Sequence, residues 1–159
     1  MAKTAVGNRE DALDILQDTM YKLAEKYSTR QATEWPALFY TILQSRIRDW
    51  YRRETVRNRF RVWFGNEEGK DNVDGFDRFE NSTVQSPEDA LQNGRLMAEL
   101  EIAVRHLPLR QQQAFMLRVF EEFNVKDTAT IMGCSEGSVK THYSRAVSSL
   151  RDKLGGDYS

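Results

Sequence analysis

The sequence predicts an all-α protein: two small helical domains joined by an acidic linker, the second a four-helix domain ending in a helix-turn-helix. Three observations predict this. Apolar residues recur at helical spacing through most of the 159 residues, and only three prolines interrupt them. A glycine-punctuated acidic stretch separates two such regions. Near the C-terminus, residues 123–150, FNVKDTATIMGCSEGSVKTHYSRAVSSL, read as two short helices around a tight turn.

Composition narrows the function classes. Hydrophobic residues make up 40% of the chain, enough for packed cores, and charged residues 30%, enough for a solvated surface. No apolar run approaches the length of a membrane span, so no membrane insertion is expected. Residues 1–7 are too short and polar for a signal peptide, so a cytoplasmic protein is the default. Cys134 is the single cysteine and excludes an intrachain disulfide; it reads as a small filler in a turn. With only His106 and His142 besides, no metal cluster follows from the usual spacings. No phosphate loop, nucleophile elbow or zinc-helix motif occurs, so no catalytic residue, enzyme activity or cofactor is expected. The net charge of −1 argues against indiscriminate nucleic-acid binding, but the charge is unevenly spread.

In chain order, residues 1–7 read as a ragged start. Asn8 or Asp11 caps a helix over residues 9–27, with Leu13, Leu16, Met20, Leu23, Ala24 and Tyr27 as its apolar stripe. Asp14, Asp18, Lys22 and Glu25 fall mostly on the opposite side, as a solvated face or a docking face. Residues 28–33 are a polar loop. Pro36 suits the first turn of a second helix over residues 35–59, with Phe39, Ile42, Leu43, Ile47 and Trp50 apolar. Its later half changes character. Between residues 46 and 61, seven arginines face only Asp49 and Glu54, a local charge of +5, with Trp50 and Tyr51 among them. Arginine neutralises phosphates and aromatic rings stack on unpaired bases, which suits melted DNA. The plainer alternative is a basic helix with core aromatics, and one of two adjacent rings must face inward.

From residue 64 to 89 the local charge falls to −6, with Gly65, Gly69 and Gly75 breaking any stripe. This is the linker; Val73, Phe76 and Phe79 could still dock. Ser86, Pro87, Glu88 and Asp89 open a helix running to about His106, with Leu96, Leu100, Val104 and Leu107 aligned. Pro108 ends it. Residues 110–123 form another helix, with Phe115, Met116, Val119 and Phe120 inward. His106 reads as a helix-end residue. The helix-turn-helix comes next. Its first helix spans residues 125–132, Gly133 takes the left-handed conformation, and Ser135 caps the next helix. Val139, Tyr143, Val147 and Leu150 face in, with Ala129 small at the close approach. Lys140, Thr141, Ser144 and Arg145 face out, where a second helix enters the DNA major groove. Residues 155–159 read as a frayed tail.

Taken together, these segments resemble the extracytoplasmic-function (ECF) sigma factors of the sigma-70 family, small bacterial initiation subunits of RNA polymerase. DALDILQDTM (residues 11–20) is similar to the family's polymerase-binding motif. WPALFYTILQSRIRDWYRR (residues 35–53) is similar to its promoter-melting helix. LPLRQQQAFMLRVFEEFNVKDTATIMGCSEGSVKTHYSRAVSSLR (residues 107–151) is similar to its −35 domain, and GSVKTHYSRAVSSLR carries the most specific match.

The resemblance implies domains at 1–62 and 87–159 with a linker at 63–86. It implies that Asp14, Gln17 and Asp18 face the clamp of the largest subunit of core RNA polymerase. Residues 28–34 would hold a flipped −10 base. Ser45, Arg46, Arg48, Trp50, Tyr51, Arg52 and Arg53 would line the melted −10 strand. Ser138, Lys140, Thr141, His142, Ser144 and Arg145 would read −35. An anti-sigma factor clamping the two domains is the further partner it implies. This chain departs from the family pattern at Ser45, where Asn is frequent, at His142, where Arg is frequent, and at residues 123–126. The family also has about thirty more residues before residue 11, so the first domain reads as shortened and its stripe as lacking a partner helix. The alternative from another class is a stand-alone regulator that dimerises through its first helices and binds duplex operator DNA. The arginine-rich helix speaks against it.

Overall fold

The computed structural model describes residues 1–64 and 89–155, and among them every regular element is helical. In chain order they are α1 (Ala2–Val6), α2 (Arg9–Tyr27), α3 (Trp35–Phe64), α4 (Asp89–Arg105), α5 (Leu109–Phe115), α6 (Val125–Met132) and α7 (Glu136–Gly155). A 3-10 turn, Ala32–Glu34, leads into α3, and α5 continues as a π-turn over Met116–Phe120. The predicted linker, the cap at Ser86 and the docking residues Val73, Phe76 and Phe79 lie outside the described residues.

Residues 1–7 are not ragged. They form α1, which ends where Gly7 takes a left-handed φ of 81°. Ala2, Ala5 and Val6 are buried against Ala12 and Ile15 of α2 and Leu43 and Ile47 of α3, the first core. Asn8 caps α2 by accepting from the Asp11 N–H at 2.8 Å. The buried face of α2 is Ala12, Ile15, Thr19 and Leu23; of the expected stripe, Leu23 is buried and Leu16 packs against the first core. Leu13 and Met20 point outward, 46% and 64% exposed. The reason is size. Ala12 and Thr19 let α1 and α3 approach closely, and Thr19 satisfies its buried hydroxyl on the Ile15 carbonyl at 2.7 Å.

The second half has two cores that share its helices. Ala103, Val104, Leu107, Phe115, Met116, Ala146 and Leu150 form one. Ala114, Leu117, Ala129, Ile131, Met132 and Val139 form the other. The expected inward run Phe115, Met116, Val119, Phe120 holds only for its first pair, and Leu96 is likewise exposed. The π-turn adds residues per turn and rotates the segment after it, so Leu117 is fully buried while Val119 and Phe120 are exposed.

The two halves touch directly. Tyr40 of α3 donates its hydroxyl to Glu121, and its ring meets Phe123 edge-on at 5.4 Å. Leu109 packs against the first core. Arg48 reaches the Met132 carbonyl at the end of α6. The elbow that presents these groups combines the π-turn with Glu122, a non-glycine residue at φ 57°.

Candidate nucleic-acid interface

The helix-turn-helix forms where the sequence places it, for local reasons. Asn124 caps α6 by accepting from the Asp127 N–H at 2.8 Å, a cap that the sequence pattern alone did not single out. Gly133 ends α6 with φ 63° and ψ 44°, its N–H turned back onto the carbonyls of Ala129 and Thr130. Ser135 Oγ accepts from the Ser138 N–H at 3.1 Å and starts α7. Val139, Ala146 and Leu150 are buried, with Tyr143 and Val147 partly buried beside them. That leaves Lys140, Thr141, Ser144 and Arg145 exposed on one face. Ser138 is half-buried, its hydroxyl 2.9 Å from that of Ser135. His142 is half-buried too. Burial holds its pKa below the ordinary imidazole value, and the charges of Arg110 and Arg145 push the same way. Arg118 lies over the Tyr143 ring, 5.9 Å from its centroid, and donates to the Phe123 carbonyl, tying the elbow to α7.

Parts of the other two predicted sets, Asp14 and Asp18 of one and Arg46, Trp50 and Arg53 of the other, line one cleft of about 400 Å³ between α2 and α3, whereas Gln17, Ser45, Arg48, Tyr51 and Arg52 do not. Asp14, Gln17 and Asp18 are exposed. Leu13, Met20 and Tyr21 stand exposed around them, so this face of α2 is apolar as well as acidic. Arg46 is already paired with Asp18 at 2.6 Å, and Arg52 sits 3.9 Å from Asp49. Arg53 is exposed, whereas Ser45 and Arg48 are half-buried.

Trp50 faces inward, as its place on the apolar face predicts; Tyr51 does so too, which corrects the expectation that only one of the two rings would. Both pack against the first core and against each other, edge-to-face at 5.2 Å. The Trp50 indole donates to Asp11 Oδ2 at 3.0 Å, and the Tyr51 hydroxyl to the Ala5 carbonyl at 2.6 Å. Burial raises the Tyr51 pKa above the ordinary phenol value.

Arg110 meets the helix-turn-helix, a contact that the sequence pattern did not reveal. Its Nη1 donates to the Met132 carbonyl at 2.8 Å, and Arg48 approaches the same oxygen at 3.5 Å from the other half. Its place in the first turn after Pro108 was visible. Its meeting with Arg48 is a tertiary event that no spacing shows.

An exposed polar and basic face on the second helix of a helix-turn-helix defines a DNA-binding protein by fold and site. A family model described as Sigma-70, region 4 matches residues 97–150. The ECF RNA polymerase sigma factor BldN of Streptomyces coelicolor is 30% identical over 154 residues, covering 96% of this chain and 54% of that protein. The RNA polymerase sigma factor SigV of Bacillus subtilis is 26% identical over 97% of this chain and 82% of its own length. Among solved structures, the sigma factor RpoE in complex with the anti-sigma factor NepR, from Bartonella quintana, matches with a TM-score of 0.64 and 25% identity. That match covers 98% of this chain and 88% of the other. Residues 97–150 thus match sigma-70 region 4, the chain is similar over nearly its whole length to relatives named ECF sigma factors, and it spans about half the length of BldN.

Proposed function

We propose that this chain acts as a promoter-specificity subunit of RNA polymerase, with α7 reading the −35 element. The observation that carries the reading is the exposed row Lys140, Thr141, Ser144 and Arg145, held on a rigid turn by Gly133 and Ser135. In this reading the acidic and apolar face of α2, around Asp14, Gln17 and Asp18, docks on the polymerase clamp. The arginines of α3 follow the melted −10 strand by charge, since Trp50 and Tyr51 are engaged inward. The chain has no turnover of its own. Its binding energy favours open over closed DNA, so melting follows from differential affinity. The domains are 1–62 and 87–159, the working compartment is the cytoplasm, and an anti-sigma factor is a partner by analogy with the RpoE complex.

The test is a pull-down of purified core RNA polymerase with the full chain, then permanganate footprinting on promoter fragments. Polymerase capture with reactive thymines near −10 is the expected result. Tight binding to a palindromic duplex without polymerase capture would instead establish a stand-alone regulator.

A further inference from the structure

The seam between the two halves gathers like charges. Arg48 from α3 and Arg110 from the first turn of α5 converge on the Met132 carbonyl oxygen, at 3.5 Å and 2.8 Å. Their Nη1 atoms therefore lie no further apart than those two distances allow. The charges of Arg110 and Arg52 both act on Arg48, and those of Arg110 and Arg145 on His142. Among the described residues, neither Arg48 nor Arg110 has a carboxylate within 4.0 Å. Asp49 is the acid that acts on Arg48, and Arg52 already shares it.

Capping the C-terminal end of α6 is the simplest account, and one cation suffices for that. A helix end carries about half an elementary charge. Arg110 meets it with a well-formed hydrogen bond. Arg48, at 3.5 Å, sits at the outer limit of bonding and leaves most of its donors unspent. Two full positive charges are thus brought together around a partial negative one, an arrangement that favours an anion beside them. Each guanidinium carries further N–H donors beyond the one aimed at this oxygen, and the several oxygens of a phosphate group can accept from two arginines at once.

We propose that this seam is a phosphate-binding site in which Arg48 and Arg110 hold one phosphate group between the two halves. A ligand held by both halves stabilises their closed arrangement by linkage. The chemistry is that of a polyphosphate, whether free or part of a nucleic-acid backbone. The site rests on the closed geometry and stands or falls independently of polymerase binding.

The probe is inorganic pyrophosphate, titrated into the full chain by calorimetry and by thermal melting, against sodium chloride at matched ionic strength. Saturable binding and a raised melting temperature are expected with pyrophosphate and not with chloride. Arg48→Gln and Arg110→Gln should each weaken binding at least tenfold. Arg48→Gln leaves the 2.8 Å bond to α6 intact, so it separates ligand loss from misfolding. An equal effect of chloride, or unchanged affinity in Arg48→Gln, would overturn the site. A single-stranded oligodeoxynucleotide then identifies the source. Competition with pyrophosphate assigns the seam to a nucleic-acid backbone, and independent binding assigns it to a free polyphosphate.

Discussion

At the scale of single residues, Gly133 and Arg145 show two ways in which one position matters. Gly133 holds a left-handed φ of 63° with nothing within 4 Å of where a Cβ would stand. Gly133→Ala therefore meets no clash and costs only backbone strain, about 1 kcal/mol. Urea unfolding should show that loss with an unchanged slope. Arg145 is exposed and pairs with no carboxylate among the described residues, so its removal costs the fold little. Arg145→Ala should weaken −35 duplex binding by about 1–3 kcal/mol while leaving polymerase capture intact. Equal loss of both would remove Arg145 from base reading. Residues such as these were legible from sequence because their roles are local: a turn, a cap, a position on a helix face. The inward place of Tyr51 was not. It depends on the Ala5 carbonyl, 46 residues away in sequence.

Among the elements, the helix-turn-helix was readable almost to the residue, because caps and a glycine define both of its ends. The stripe of α2 was right at Leu16 and Leu23 and one position off at Leu13 and Met20. Counting large residues favoured Leu13 and Met20, whereas the helices pack through the small Ala12 and Thr19. The π-turn was invisible, since its cost is met by tertiary contacts. Its consequence is the junction of Tyr40 with Glu121 and Phe123. Burial first, then the hydrogen bond to Glu121 and its charge, raise the Tyr40 pKa well above the usual phenol value near 10. A raised pKa means the folded state holds the proton more tightly. The stability this confers is fully present below about pH 10 and is lost as pH rises beyond it. Tyr51 shifts the same way, so Tyr40→Phe should remove part of the alkaline destabilisation and not all of it. Thermal melting between pH 9 and pH 12, roughly the range these phenols span, checks this.

For the whole molecule, the two halves are closed on each other, which a sequence with a long acidic linker does not announce. A closed chain of this length has a radius of gyration of about 15 Å. Small-angle scattering of the free protein should return that value. The proposed function then demands a large change. The −10 and −35 elements are about 85 Å apart along DNA, at 3.4 Å per base pair. Two halves in contact cannot occupy both, so polymerase and promoter must separate them, and scattering or distance labels on the complex should show a marked expansion. The π-turn sets how the closed halves are aimed. Each residue in an α-helix turns the chain by about 100°. Removing Val119 would let Met116–Phe120 relax to an ordinary helix and swing everything after it around the axis. Recognition helix and arginine seam would part company although no contacting side chain had been altered. In this protein a deletion of one exposed residue is a change of aim, and the reading frame of a single helical turn decides which surface the DNA meets.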